Sequence, residues 1–142
     1  MDIFITRKDG EYEKTLLNKF VDVLTKKGFL TDHLSMPRHA DVKSCQSYMG
    51  IGKFKTETHH RIDIKYYPVD QFAYAVLYFT GSDMFNRKMR LEAMNQGYHL
   101  SDHGMHKSVK DGAKVTAIGP NIVCKTEKEI FDHLGLEYKA PH

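Results

Sequence analysis

The sequence has no tryptophan, only four prolines and only two cysteines among its 142 residues. Cys45 and Cys124 lie far apart with no Cys-x-x-Cys spacing, so we expect free thiols in a reducing compartment. No apolar run approaches the roughly 20 residues of a membrane span. The first ten residues, MDIFITRKDG, also lack a basic segment followed by an apolar one. The sequence therefore predicts neither a membrane helix nor a secretory signal.

The sequence also has little excess of either charge, since 21 Lys and Arg stand against 18 Asp and Glu, which gives a net charge of +3. The stretch over 84–114 carries six Lys or Arg and three Asp or Glu, so six minus three equals the whole net charge. A solvated basic face explains this stretch, and so does a polyanionic partner. With 41% hydrophobic residues, the chain has the composition of a globular domain with its own core.

Hydrophobic periodicity predicts an α+β chain with strands first and helices clustered after the middle. We expect strands over 3–5, 48–54 and 60–67, and a polar surface loop over 34–48. Helices are predicted over 13–27, 70–79, 83–96 and 126–135, with Asp70 as a cap and a capping box from Thr126 to Glu129. The residues between Gly97 and Val123 are predicted to form short strands or loops.

The strand pattern in RIDIK places Arg61, Asp63 and Lys65 on one face, opposite two buried isoleucines. An ion-pair ladder on a solvated surface would produce this pattern, and so would a carboxylate held rigidly for a metal or phosphate. Asp2 precedes a second strand of the same kind. Two carboxylates on neighbouring strands would suit Mg²⁺, although two ligands make a thin site for a pair of metal ions.

The helix after Gly81 has a polar stripe of Asp83, Asn86 and Arg90, at spacings of three and seven residues. The opposite face is apolar and predicted to be buried, with Phe85, Met89 and Ala93. An amide and a guanidinium that project together suit hydrogen bonds to base edges, and the neighbouring Arg87 could reach a backbone phosphate. Two aromatic residues precede Gly81, and core packing explains them as well as ligand stacking does.

Three segments of the sequence together resemble the carboxy-terminal palm and thumb of the family X DNA polymerases, the family that includes polymerases beta and lambda. They are HRIDIKYYPVDQFAYAVLYFTGSDMFNRKMRLEAMNQGY over 60–98, MDIFIT at the start, and TEKEIFDHLGLEYKAP near the end. The resemblance implies part of a nucleotidyltransferase-type palm sheet over 1–79. It also implies a small α/β thumb subdomain over 80–142.

For the palm, the resemblance implies that Asp2 and Asp63 are catalytic carboxylates that bind Mg²⁺, or Mn²⁺ in its place. Asp63 would lie nearest the primer terminus and help to activate the 3′-hydroxyl. Arg61 would sit beside Asp63 and restrain it in the resting state. Lys65, on the same face, would contact DNA.

For the thumb, the resemblance implies contacts with the incoming deoxynucleoside triphosphate and with the template. The residues that would pack on the sugar are Tyr78, Phe79 and Gly81, with Tyr78 as the steric check against ribonucleotides. Asp83 would lie against the base, and Asn86 would hydrogen-bond its minor-groove edge. The residues that would contact DNA are Arg87, Arg90 and Asp102, the last of which stands where the family has a glutamate.

The implied function is templated, two-metal nucleotidyl transfer in gap-filling DNA repair, on gapped or primer-template DNA in the nucleus. The family's first metal carboxylate and its triphosphate-binding stretch would lie upstream of Met1. We therefore expect this chain alone not to polymerise DNA. We also expect an exposed sheet edge at 1–6 to favour self-association.

Two other functions fit parts of the sequence. A non-catalytic nucleic-acid-binding module would keep the fold and bind duplexes in a salt-sensitive, metal-independent way. A relative that transfers nucleotides to RNA or small molecules fits less well, because the YFTGS and FNRKMR segments resemble a polymerase thumb. Zinc binding by His59 and His60, or by His99, His103 and His106, lacks a supporting motif, and exposed or phosphate-facing histidines explain both groups.

Overall fold

A computed structural model describes residues 1–38, 43–55 and 58–141. The chain forms two compact units, Met1–Pro68 and Val69–His142. The helix predicted over 70–79 packs within the second unit, although the resemblance implied a palm that extends to residue 79. The functional boundary after residue 79 stays a prediction, because compactness alone does not define a functional subdomain.

In its described residues, the first unit contains a four-stranded sheet and one helix. The strands are β1 (Asp2–Ile5), β2 (Leu30–Ser35), β3 (Gln46–Gly52) and β4 (His60–Tyr66), in the order β1-β4-β3-β2, and the helix is α1 (Leu16–Lys26). β1 runs parallel to β4, and the other two pairings are antiparallel. The strands predicted at both carboxylates are confirmed, and their parallel pairing sets the register of the face on which both lie.

The core of the first unit lies between α1 and one face of the sheet. Leu17 and Val21 of α1 are fully buried, as are Tyr48 of β3 and Ile64 of β4. The opposite side chains of β4 point away from this core, as the period-two pattern predicted. The alternation of apolar and polar residues therefore buries one face of this sheet in the core and leaves polar residues on the other.

The predicted loop over 34–48 was wrong at both ends, because β2 extends to Ser35 and β3 begins at Gln46. Residues 39–42 lie outside the described part. Polar and charged residues dominate β2 after Leu30, and its pairing with β3 has two irregularities in register. An exposed, irregular strand at the edge of a sheet carries little of the alternation by which strands are recognised. The polarity of β2 is therefore the reason why the sequence pattern did not predict this strand.

Over 69–141, the second unit contains three helices and a three-stranded antiparallel sheet. The helices are α2 (Val69–Thr80), α3 (Asp83–Asn95) and α4 (Glu127–His133), and the strands are β5 (Tyr98–Ser101), β6 (Gly104–Asp111) and β7 (Lys114–Ile118). Both units together give the α+β fold that the sequence predicted. The residues between Gly97 and Val123, which are predicted to form short strands or loops, contain all three strands of this second sheet.

The core of the second unit joins its helices to its sheet. Met89 and Ala93 of α3 are buried with Leu100, Met105 and Phe131, which confirms the predicted apolar face of α3. Tyr74 of α2 is also buried, and its hydroxyl donates to the Ile122 carbonyl at 2.6 Å. Burial raises the pKa of Tyr74, so the hydroxyl keeps its proton and remains a donor.

Helix starts are fixed by side chains, though not always as predicted. The Ser82 hydroxyl caps α3 by accepting from the Phe85 N–H, and the Thr126 hydroxyl caps α4 by accepting from the Glu129 N–H. The Glu129 carboxylate accepts from the Lys125 N–H at 2.7 Å, one residue before the position that a capping box requires. Asp70 lies inside the first turn of α2 rather than before it.

Two further expectations concern the thiols and the helices. Cys45 and Cys124 are both free thiols, as the sequence predicted. Across 1–38, 43–55 and 58–141, no helix has the length and apolar character needed to cross a membrane.

We predict that Gly104→Ala destabilises the second unit by at least about 2 kcal/mol more than Gly112→Ala. A Cβ on Gly104, whose φ is +144°, would lie 2.2 Å from the Asn121 side-chain oxygen, which accepts from the Met105 N–H. Gly112 also has a positive φ, +59°, but a Cβ there would meet nothing within 4 Å. Urea unfolding followed by circular dichroism measures both variants, and equal midpoints would contradict the predicted role of Gly104.

Candidate functional site

The candidate site of the first unit is a carboxylate pair on the polar face of its sheet. β1 and β4 pair in parallel with Asp2 opposite Asp63 and Phe4 opposite Lys65. Ile3 and Ile64, which are also partners, belong to the core side. The register therefore brings Asp2 and Asp63 side by side on the polar face, as the sequence analysis expected.

Arg61 holds Asp63 in a two-pronged contact. Its Nε donates to Asp63 Oδ1 at 3.0 Å, and its Nη2 donates to Oδ2 at 3.3 Å. The hydrogen bond and charge of Asp63, with a smaller contribution from Asp2, raise the pKa of the Arg61 guanidinium. Asp63 is only 23% exposed, so a cation that approaches it must compete with Arg61.

Sequence reasoning missed Met49 at this site. The Arg61 Nη2 also donates to the Met49 sulfur at 3.2 Å, and Met49 is the cross-strand partner of Asp63 on β3. Met49 thus provides a second contact for the guanidinium while it grips Asp63. The alternation of β3 would have placed Met49 on the polar face, but only the β3–β4 register shows that it faces Asp63.

The carboxylate pair fits a hard divalent cation in its ligand chemistry. Carboxylate oxygens are the protein ligands that Mg²⁺ prefers, and water and substrate phosphates usually complete its six positions. In the part of the chain that the structure describes, no three His, Cys, Asp or Glu side chains gather in a way that could hold a metal ion. Two carboxylates are fewer than such a group requires, so a metal ion at Asp2 and Asp63 would need further ligands.

The second unit has a separate candidate site at the turn from α2 to α3. The rings of Tyr78 and Phe79 meet edge to face with centroids 5.0 Å apart, and Phe79 is 40% exposed. Gly81 has a φ of +70°, which a residue with a side chain adopts only with strain, and the Gly81–Ser82 peptide bond is cis. This turn presents two aromatic rings just before the start of α3.

Asn86 and Arg90 converge on Tyr78 from the next helix. The Asn86 side-chain N–H donates to the Tyr78 carbonyl at 2.7 Å, and the Arg90 guanidinium lies 4.9 Å from the centroid of the Tyr78 ring. The three residues line one cavity, whose other lining residues are Tyr74, Leu77, Met89, Leu100 and Ser101. The polar stripe predicted on α3 is therefore anchored to the aromatic turn at two of its members.

The other predicted site residues of the second unit make separate contacts. Asp83 and Arg87 form an exposed ion pair at 3.0 Å, one helical turn apart on α3. Asp102 lies in the turn between β5 and β6, with His103 Nε2 3.7 Å from its carboxylate. The lysines of the basic stretch, Lys107, Lys110 and Lys114, lie exposed along the β6–β7 hairpin.

Two family models together match most of the chain. The DNA polymerase beta palm model matches residues 1–69, and the DNA polymerase beta thumb model matches residues 75–142. These ranges meet near the boundary between the two compact units.

Curated proteins show the same relationship. The chain is 38% identical to DNA polymerase lambda of Rattus norvegicus and 35% identical to DNA polymerase lambda of Arabidopsis thaliana, over 99% and 100% of this chain. It spans 25% and 28% of the length of those two proteins. A DNA nucleotidylexotransferase of Ambystoma mexicanum is 37% identical over 57% of this chain and 14% of its own length. The sequence motifs, the two compact units and these matches agree, and the chain belongs to the family X DNA polymerases, a family of DNA nucleotidyltransferases.

Proposed function

We propose that this chain supplies part of the catalytic face and the substrate-contacting helix for templated nucleotidyl transfer in gap-filling DNA repair. The observation that carries the proposal is the pairing of Asp2 with Asp63 across two parallel strands, with Arg61 on Asp63. An ion-pair ladder alone would not require a second carboxylate beside the first, because neighbouring like charges repel. A divalent cation removes that repulsion.

Asp2 and Asp63 would hold Mg²⁺, or Mn²⁺ in its place. The bound metal would supply charge neutralisation at the phosphoryl group and lower the pKa of an attacking hydroxyl. The chain's own contribution is positional. Asp63, which projects from the middle of β4, would accept the hydrogen of the primer 3′-hydroxyl, and Arg61 would withhold Asp63 until substrate is present. Lys65, one step further along the same face, would contact a DNA phosphate.

The second unit would bind the incoming deoxynucleotide. Tyr78, Phe79 and Gly81 would pack against its sugar, and Tyr78 would exclude a 2′-hydroxyl by steric contact. Asn86 would present its amide to the minor-groove edge of the base. That amide is already oriented by its hydrogen bond to the Tyr78 carbonyl, and such positioning is the main source of rate in phosphoryl transfer.

The proposed nucleic-acid partner is gapped or primer-template DNA. Asp83 would lie against the nascent base, while Arg87, Arg90 and Asp102 would contact the template side. The match to the DNA polymerase beta thumb model and the similarity to DNA polymerase lambda support DNA binding by the family. Nuclear localisation follows from the family resemblance alone and stays a prediction.

Self-association is a separate proposal that rests on β1. This strand pairs on one side with β4 and stands last in the sheet order, so its other edge can pair with another strand. Light scattering across a concentration series tests the proposal. We expect a mass that rises with concentration, and a constant monomer mass would contradict it.

A non-catalytic nucleic-acid-binding module remains the second candidate. The observation that favours it is the exposure of Lys107, Lys110 and Lys114 along the β6–β7 hairpin, because a basic surface can bind duplexes without a metal ion. The two functions differ in their response to metal, because only the first requires the carboxylates to bind a divalent cation. The next two predictions separate them.

We predict that Asp63→Asn lowers the affinity of the chain for Mn²⁺ by about tenfold or more, because it removes one of two charged ligands. Asp22→Asn, on the exposed face of α1, removes the same charge elsewhere and serves as the matched control. Paramagnetic broadening of amide signals measures both, and it should be centred on β1 and β4 in the unmodified chain. Equal broadening in both variants would favour the non-catalytic module.

We predict the opposite effect for Arg61→Gln, which frees the Asp63 carboxylate and should raise Mn²⁺ affinity severalfold. Lys8→Gln is the control for the loss of one positive charge from the first unit. The same titration measures the change. A loss of affinity in Arg61→Gln would show that the guanidinium organises the site instead of competing for it.

We predict that Arg87→Gln weakens duplex binding and reduces the slope of log K against log salt by about one, because it removes a phosphate contact. Lys128→Gln is the matched control, because Lys128 lies on α4 and is paired with Asp132 one helical turn away, as Arg87 is paired with Asp83 on α3. Fluorescence anisotropy with a labelled gapped duplex at several salt concentrations measures the slope. An unchanged slope in Arg87→Gln, or an equal change in the control, would contradict a phosphate contact at Arg87.

A further inference from the structure

Aspartate is followed directly by glycine at two places in the sequence, Asp9–Gly10 and Asp111–Gly112, and a lysine precedes both pairs. In such a pair the glycine nitrogen can attack the side-chain carboxyl of the aspartate and close a succinimide ring. Glycine favours this step because it has no side chain to obstruct the ring and adopts backbone conformations that other residues avoid. The local sequences are the same, so any difference in reactivity must come from the contacts of the folded chain.

Both reacting groups of the first pair are engaged. The Asp9 carboxylate accepts from the Arg7 guanidinium on both of its oxygens and from the Glu11 N–H at 3.1 Å. The Gly10 N–H donates to the Arg7 carbonyl at 3.3 Å. The hydrogen bond from Arg7 lowers the pKa of the Asp9 carboxyl and keeps it ionised, and a carboxylate loses an oxygen far less readily than a carboxylic acid does. Asp9–Gly10 is therefore protected.

The second pair lies at the tip of the β6–β7 hairpin, where Asp111 pairs with Lys114 across a loop of two residues. Asp111 and Gly112 are both exposed. Within 1–38, 43–55 and 58–141, no hydrogen bond or ion pair engages the Asp111 side chain, and the Gly112 N–H meets no acceptor. The space around Gly112 is open as well, since a Cβ there would meet nothing within 4 Å. Neither reacting group of this pair is held.

We propose that Asp111–Gly112 is a site of spontaneous isoaspartate formation in the folded protein. The Gly112 nitrogen forms a bond to Asp111 Cγ and gives up its proton, while one carboxyl oxygen leaves as water. Water then opens the succinimide at either carbonyl. Attack at Cγ restores aspartate, whereas attack at the main-chain carbonyl leaves the chain running through Cβ and Cγ, which is isoaspartate. One water is released and one is taken up, so no other reactant is needed.

The product adds one methylene carbon to the main chain inside a two-residue hairpin loop. Loop length determines the turn type and the register of a hairpin, so isoaspartate does not fit the turn that joins β6 to β7. We expect the terminal pair, Asp111 with Lys114, to be lost first. The pair of Lys107 with Ile118 should remain, because Lys107 is also paired with Tyr98 of β5.

Peptide mapping after prolonged incubation of the chain at physiological temperature and neutral pH tests the proposal. The chain is then denatured and digested with an endoprotease that cleaves before aspartate but not before isoaspartate, and mass spectrometry gives the uncleaved fraction at each pair. We expect this fraction to rise at least severalfold faster at Asp111 than at Asp9. Equal rates, or a faster rise at Asp9, would overturn the proposal.

Incubation in urea is the matched control for the role of the fold. The two pairs share the local sequence Lys-Asp-Gly, so their rates should become similar once the chain is unfolded. A difference of the same size in urea would contradict protection of Asp9 by folded-state contacts.

Two variants separate the chemistry from the contacts, and enzymatic methylation of isoaspartate carboxyl groups measures the total product in each. Asp111→Glu keeps the charge but would have to close a larger ring, so it should remove most of the product. Arg7→Gln releases the Asp9 carboxylate and should raise the product at Asp9 severalfold, which peptide mapping locates. Circular dichroism checks that both variants fold. Unchanged methylation in Asp111→Glu, or no increase at Asp9 in Arg7→Gln, would overturn the proposal.

Discussion

The parallel pairing of β1 with β4 is the constraint on which the candidate site depends. It places Asp2 directly beside Asp63, so two carboxylates share one face of a sheet whose other face is buried against α1. A slip of one residue would bury one carboxylate and expose an isoleucine. Core packing on one face therefore fixes the geometry of the charges on the other. Hydrophobic burial against α1 offsets the repulsion between the two neighbouring carboxylates.

Arg61 and Met49 stabilise the carboxylate on this face. Arg61 occupies both oxygens of Asp63, and the Met49 sulfur accepts a further hydrogen bond from the same guanidinium. The second unit applies the same principle to a different chemistry. Asn86 is held on the Tyr78 carbonyl and Arg90 lies over the Tyr78 ring, so the polar groups proposed to contact a nucleotide are already ordered by neighbours.

Much of this arrangement was predictable from the sequence, and the failures have physical causes. The alternation of Arg61, Asp63 and Lys65 with buried isoleucines correctly predicted which face of β4 is polar. The stripe on α3 was equally clear because Met89 and Ala93 repeat at helical spacing. The position of β2 was missed because an exposed edge strand has few apolar residues to alternate. Met49 was missed because a cross-strand partner depends on register, which local spacing does not encode.

The central claim is that Asp2 and Asp63 together bind a divalent cation that displaces Arg61. Anomalous diffraction from crystals grown with saturating Mn²⁺ tests it most directly, because the signal locates the ion without reference to activity. The account predicts an anomalous peak in contact with both carboxylates and an Arg61 guanidinium that has left Asp63. A map with no peak at the pair, and with Arg61 still on Asp63, would contradict it.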